Sequence, residues 1–313
     1  MRLLWGAGDN LMNRQAKCLP FMGKTGRPAI GLKPLSLEDW LDIDEEFERQ
    51  LRHKSGLLDH RYDDVFVALP DTQAAQKEVL ELLSDHLVTH FPEIYHSVNE
   101  GIHNLQTQQT WSFTEFAESP LNLAGRLVQE DLCILLPGET GYVLSAASVC
   151  FPLRWRLREK LGQPLGQIHQ RVPDYGNRLE RPVDNVFARL RQGFPGLRFN
   201  WSIVDSPELF LDQEKLATGF NGAIAPNNAG QRLWLRVERQ TLRRLPISGG
   251  VLFTIRTYVD PLDQIATDPE VAAQLFHAVQ SLQPEMQVYK NLLPFREALL
   301  TYLDRCAVSI TKR

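Results

Sequence analysis

A chain of 313 residues, 43% hydrophobic and 23% charged, has room for one large domain or two modest ones with a substantial core. Its formal net charge of −4 argues against a protein built mainly to hold nucleic acid, and no apolar run approaches the roughly 20 residues of a membrane span. The four cysteines, Cys18, Cys133, Cys150 and Cys306, form no CxxC pair. That speaks against a cysteine-built zinc or iron–sulfur site and against a disulfide framework, and it suits a reducing cytoplasm. Gly6-Ala7-Gly8-Asp9-Asn10 interrupts the short apolar start, so a secretory leader is not expected.

Residues 1–36 are rich in Gly and Pro and read as an irregular arm. Residues 37–110 read as a helical region. Ser36 followed by Asp39 predicts a helix start, with Trp40, Leu41, Ile43 and Phe47 on one side and the helix running on towards Leu57. Ala74, Ala75, Val79, Leu80, Leu83 and Leu87 recur at helical spacing, and that helix should stop before Phe91-Pro92. Residues 93–120 show no clear period, and 122–129 reads as a helical turn.

Residues 111–262 read as the core. Leu132–Leu136 and Tyr142–Phe151 flank a Pro-Gly-Glu-Thr-Gly turn and predict a hairpin. Helical segments at Arg154–Leu161 and Arg181–Arg191 follow, then a strand at Phe199–Val204 and a long connection from Asp205 to Asn228. A second hairpin spans Arg232–Asp260 around Pro246-Ile247-Ser248-Gly249-Gly250. Residues 263–313 hold two helices, Pro269–Leu282 and Leu292–Cys306, packed on the core in one compact unit.

On the Arg232–Asp260 strands, Leu233, Leu235, Val237, Val251, Phe253, Ile255 and Val259 occupy odd positions and form an apolar face, with Arg239 the exception. Arg236, Glu238, Gln240, Thr254, Arg256 and Tyr258 occupy even ones. With Leu245 opposite Val251, Glu238 would face Tyr258 and Gln240 would face Arg256. This polar cluster is either a solvated sheet face or the wall of a pocket. The strand–strand–helices–strand–strand–strand order gives the fold class: α+β, a PAS-like antiparallel sheet with a helical insert, flanked by N- and C-terminal helices. That is an argument from element order by analogy.

Dinucleotide, Walker, nucleophile-elbow and HExxH fingerprints are absent. His86 and His90 share a helix face, but without a third ligand in view they read as a polar face near a helix C-terminus. His169 lies in the insert that would cover the sheet. It is either a loop histidine bonded to backbone or one that reaches a cofactor iron. Arg236, Glu238, Arg239 and Arg256 are the densest charges on predicted strands. Guanidiniums suit carboxylates, including haem propionates, yet cross-strand ion pairs on a wet face explain them equally well.

Several segments together resemble one family: Gly31-Leu-Lys-Pro-Leu with Trp40-Leu-Asp-Ile-Asp; Cys150-Phe-Pro with Trp155 and Glu159-Lys-Leu-Gly; Ile168-His169 with Val172-Pro173; Asn200-Trp201; and, above all, Leu235-Arg-Val-Glu-Arg-Gln-Thr-Leu-Arg-Arg-Leu-Pro with Phe253-Thr-Ile-Arg-Thr-Tyr. They look like the haem-binding α subunit of the haem-dependent oxidative N-demethylases and its relatives of unassigned function. The resemblance runs from about residue 20 to the C-terminal helix. It implies a PAS-like domain holding haem b, which oxidises a small secondary amine with dioxygen to a primary amine and formaldehyde. It also implies His169 as the axial iron ligand, Arg236 and Arg239 as cofactor-binding residues, and Glu238, Arg256 and Tyr258 as catalytic ones.

Flavin, NAD and iron–sulfur fingerprints are missing, so electrons would come from separate flavin or iron–sulfur reductase subunits. Leu153-Arg154 and Gln170-Arg171 depart from the smaller residues expected beside the pocket, which leaves the amine open. The competing reading is a non-catalytic haem or small-ligand sensor of PAS-like fold.

Overall fold

The computed structural model describes residues 19–22, 31–139, 141–211 and 221–308. Most of the N-terminal arm, Cys18 and the middle of the 205–228 connection lie outside the described residues.

The strands are β1 (Lys33–Pro34), β2 (Phe66–Ala68), β3 (Tyr95–Val98), β4 (Gly101–Asn104), β5 (Gln109–Ser112), β6 (Asp131–Gly138), β7 (Gly141–Ser148), β8 (Gly196–Val204), β9 (Trp234–Arg244) and β10 (Val251–Pro261). Seven of them form one antiparallel sheet in the order β1-β8-β9-β10-β6-β7-β2, with β10 in the middle. The arm and the helical region thus each lend a strand, β1 and β2, to the edges of the core sheet.

Both faces of the sheet are covered. On one, Leu132, Ile134 and Leu252 pack with Leu51, Leu83 and Leu123 from the helices Phe47–His60, Gln73–His90 and Pro120–Leu127. Further along the same face, Leu235, Val237 and Tyr258 pack with Leu275 and Leu299 from the helices Pro269–Gln280 and Arg296–Ala307. On the other face, Cys133, Leu135, Ala147, Leu242 and Val251 meet Leu157, Leu165, Ile168 and Phe187 of the insert between β7 and β8. A sheet covered on both sides needs apolar residues on both, which blurs the simple alternation of a one-sided strand.

The second hairpin forms, but its register is one residue away from the expected one. Val251 pairs with Arg244, so Arg239 sits opposite Arg256, Val237 opposite Tyr258 and Glu238 opposite Thr257. The loop is shorter than expected: Leu245 N donates to Gly250 O at 2.9 Å, and Gly249 takes φ +67° to close it. The Glu78 carboxylate, from the long helix, accepts Ile247 N at 2.6 Å and Ser248 N at 2.9 Å and fixes this loop. Because side chains alternate, a one-residue slip moves a whole strand's set to the other face. Each face of the hairpin therefore carries apolar residues from one strand and polar residues from the other. The expected cluster of Glu238 with Arg256 and Tyr258 does not exist.

The helix expected from Ser36 is interrupted. Leu37–Asp39 makes a short 3-10 turn, and the helix proper runs Phe47–His60. Between them Asp42 N donates to Glu130 Oε1 (3.1 Å) and Asp44 N to Gln129 Oε1 (3.3 Å), so the backbone donors that helix would need are spent on buried side chains. The helix expected at Arg154–Leu161 shrinks to a 3-10 turn at Leu157–Glu159, because Arg154 takes φ +59° and donates its N–H to Leu211 O. Among the elements not anticipated are the edge strands β1 and β2, the β3-β4-β5 meander, whose strands are four residues each, and the helix Pro284–Tyr289.

Two predictions follow from this packing. Arg256 is fully buried and bridges Asp44 Oδ2 (2.8 Å), Gln50 Oε1 (2.8 Å) and Asp42 O (3.2 Å). Arg256→Ala strands those groups and should cost about 3–5 kcal/mol, read as a lower urea midpoint. His86 lies buried edge-on to Trp40, and burial, with His90 and Arg243 nearby, lowers its pKa to about 3. The unfolded chain protonates it near 6.5 while the folded one resists, so stability falls as pH drops below that value. His86→Gln should lose less stability than the native chain between pH 7.5 and 5, measured by urea unfolding at both.

Candidate functional site

The site is built on the insert-facing side of β8, β9 and β10. Cross-strand partners share a face, and here Arg198 pairs with Gln240, Asn200 with Glu238 and Ser202 with Arg236. Phe253, Ile255 and Val259 of the middle strand lie on the same side. Ile255 is half-buried and joins no apolar cluster, although it stands at the centre of a seven-stranded sheet. The insert closes over β6, β7 and the hairpin end but leaves this ground open.

Polar groups ring it. Glu238 Oε2 accepts from Gln240 Nε2 (2.9 Å) and Asn200 Nδ2 (3.3 Å). Lys290, just past the Pro284–Tyr289 helix, donates to Asn200 Oδ1 (3.3 Å) and Trp201 O (2.5 Å). Burial lowers the Lys290 pKa to about 8, with Glu238 opposing and Arg198 adding to the shift. From the insert comes His169, whose ring stacks on Tyr175 with centroids 4.9 Å apart. His169 Nδ1 sits 2.9 Å from Leu165 O. A carbonyl only accepts, so Nδ1 carries the proton and the neutral ring keeps its Nε2 lone pair. Burial lowers the His169 pKa, with the nearby positive charges of Arg198 and Lys160 adding to it. Tyr175 also lines an open groove of about 580 Å3 within the insert, beside Gly166, Gln170, Val172, Asp174 and Glu180.

The six residues singled out from sequence divide. Glu238 and His169 belong to this side of the sheet. Arg236 shares it but is fully buried, donating to Phe151 O (2.6 Å), Leu209 O (3.1 Å) and Glu208 O (3.4 Å), so it pins two loops. Arg239, Arg256 and Tyr258 are on the opposite face. Arg239 donates to the carbonyls of Asp39 and Trp40, and the Tyr258 hydroxyl to Asp42. Their polar atoms hold the segment before the first long helix.

Sequence reading passed over Arg198, Tyr175 and Lys290. The first alternates with Phe199 and Trp201 on a strand and was visible in principle; the others come from elements whose packing has no sequence signal. The rings of His86 and His90 lie tilted, with centroids 4.4 Å apart, and among the described residues no group of three His, Cys, Asp or Glu side chains is placed to hold a metal ion.

A family model described as haem-dependent oxidative N-demethylase, alpha subunit-like, matches residues 31–300. The chain belongs to this family. The match takes in every residue of the site just described, and the name carries haem dependence with it. The side chains of this N-demethylase-like protein suit such a group. His169 offers a free imidazole nitrogen, Phe253 and Ile255 offer half-buried apolar ground, and Arg198 Nε is shielded from water with no hydrogen-bond partner. A haem needs an axial donor, an apolar bed and cations for its carboxylates.

The Lys290–Glu238 coupling is open to test. One lysine should titrate near 8 in a lysine side-chain NMR titration, and Glu238→Gln, by removing the charge that supports its ammonium, should move that value lower still.

Proposed function

We propose that this protein is a haem-binding oxidative N-demethylase subunit that acts on a small amine. The observation that carries the reading is the placement of Glu238, His169 and Arg198 around half-buried apolar ground on the central strands, in a chain of this family. A PAS-like fold agrees with it: counted within β6 to β10 as 1 to 5, the strands lie in the order 2-1-5-4-3, with the helical insert between the second and third.

On this reading His169 would hold the haem iron through Nε2, and its Nδ1 bond to Leu165 O fixes the ring's tautomer and direction. The haem, of b type, supplies the oxidising chemistry when bound: a secondary amine, dioxygen, two electrons and two protons give a primary amine, formaldehyde and water. Glu238 holds the amine. Its Oε2 is fixed by the Gln240 and Asn200 amides, which leaves Oε1 to accept an amine N–H or to take its proton. Lys290, through Asn200, steadies that carboxylate. Arg239, Arg256 and Tyr258 act as positioning residues that anchor the sheet from behind. Electrons come from separate flavin or iron–sulfur reductase subunits, and the reaction belongs in the cytoplasm. No helix among the described residues is long and apolar enough to cross a membrane.

The purified chain, supplied with haemin, should show a Soret band that shifts in His169→Ala. With an electron donor it should release formaldehyde from a secondary amine, and Glu238→Gln should slow that release by about a hundredfold or more while leaving the Soret band in place. A protein that takes up no haemin refutes the reading. A haem protein silent across a broad amine panel is a sensor instead.

A further inference from the structure

Arg198 makes no hydrogen bond or ion pair with the described residues, and its Nε is sealed from water although the side chain as a whole is half-buried. Glu238 supplies the largest favourable charge acting on it. A shielded N–H left without an acceptor is unfavourable. The obvious partner is near but does not take it. Glu238 is a diagonal neighbour of Arg198 across the β8–β9 ladder, a spacing of about 7–8 Å between Cα atoms, and its Oε2 is held by Asn200 and Gln240.

Tyr175, whose phenol and the Arg198 guanidinium act on each other electrostatically, is only 5% exposed, and its buried hydroxyl has no hydrogen-bond partner among the described residues. Asp184 and Glu180 reinforce burial in pushing that phenol up to about 12, so it stays a donor at neutral pH. Both unsatisfied groups are donors, so the group that would satisfy them together is an acceptor with two oxygens.

We propose that Arg198 and the Tyr175 hydroxyl form a carboxylate-binding pair, one diagonal step along the sheet from Glu238. A guanidinium fork and a phenolic O–H together match the two oxygens of one carboxylate. That carboxylate has two sources: a haem propionate, or the acid group of a substrate that is an N-methyl amino acid rather than a simple amine. The identity of these sources rests on the proposed function; the pair itself does not.

The test measures four ligands on the full chain and on Arg198→Gln and Tyr175→Phe, with near-ultraviolet circular dichroism confirming that each variant is folded. Haemin and haemin dimethyl ester are titrated by Soret absorbance; N-methylglycine and dimethylamine are titrated by calorimetry. Arg198→Gln should weaken at least one of the two acids tenfold or more and leave its carboxylate-free counterpart unchanged, with a smaller loss of the same pattern in Tyr175→Phe. A selective loss of haemin assigns the pair to a propionate. A selective loss of N-methylglycine assigns it to the substrate's acid group. Equal losses within each couple, or no loss in either, overturn the proposal. If the native chain takes up no haemin, the demethylase reading fails, and N-methylglycine alone decides on the pair: no selective binding sinks it.

Discussion

The segment Asp39–Asp44, running from the 3-10 turn towards the first long helix, is where the N-terminal half of the molecule is bolted to the sheet. Its carbonyls take the Arg239 guanidinium, and the carboxylates of Asp44 and Asp42 take Arg256 and Tyr258. Its amides are taken by Glu130 and Gln129. Beside it, Lys54 donates to the carbonyls of Val128 and Glu130, and the Asp131 carboxylate caps the amides of Cys150 and Phe151. Buried charges of this kind add little to stability over an apolar core, but they are unforgiving of misalignment, because each group left alone is costly. They therefore specify one docking of the helices on the sheet. The open ground on the reverse face is only as well defined as that docking.

This division of labour explains why charge alone is a poor guide to a site here. The hairpin presents several guanidiniums at closely spaced positions, and their chemistry is the same. Arg236, Arg239 and Arg256 each hold backbone carbonyls or structural carboxylates, whereas Arg198 holds none among the described residues. What separates framework from function is whether a guanidinium already grips a protein group, and that is a property of the folded packing.

Much of the architecture was legible because it rests on local patterns. The apolar spacing from Ala74 to Leu87 and the strand-rich runs around two turns produced a helix and two hairpins where expected. The family resemblance was legible in the RVERQTLRRLP run. What could not be read was set by distant parts of the chain. Asp42 and Asp44 look like ordinary acids of a helix start until Arg256 and Tyr258 arrive to pull them straight. Glu238 stands on the insert-facing side of the sheet, but Lys290, which bonds its partner Asn200, and Tyr175, which stacks on His169, come from opposite ends of the second half of the sequence. The register slipped by one residue because it depends on a loop whose conformation Gly249 and Glu78 decide between them.

Glu78 and the loop it grips are separated by 169 residues. During synthesis the long helix bearing Glu78 leaves the ribosome well before the hairpin, and it is already available as a template when Ile247 and Ser248 emerge. In the register the hairpin adopts, its loop amides sit on the Glu78 carboxylate. Long-range contacts of this sort form late and slowly. A helix made early in synthesis thus helps hold the strand alignment, and with it the side of the sheet on which Glu238 appears.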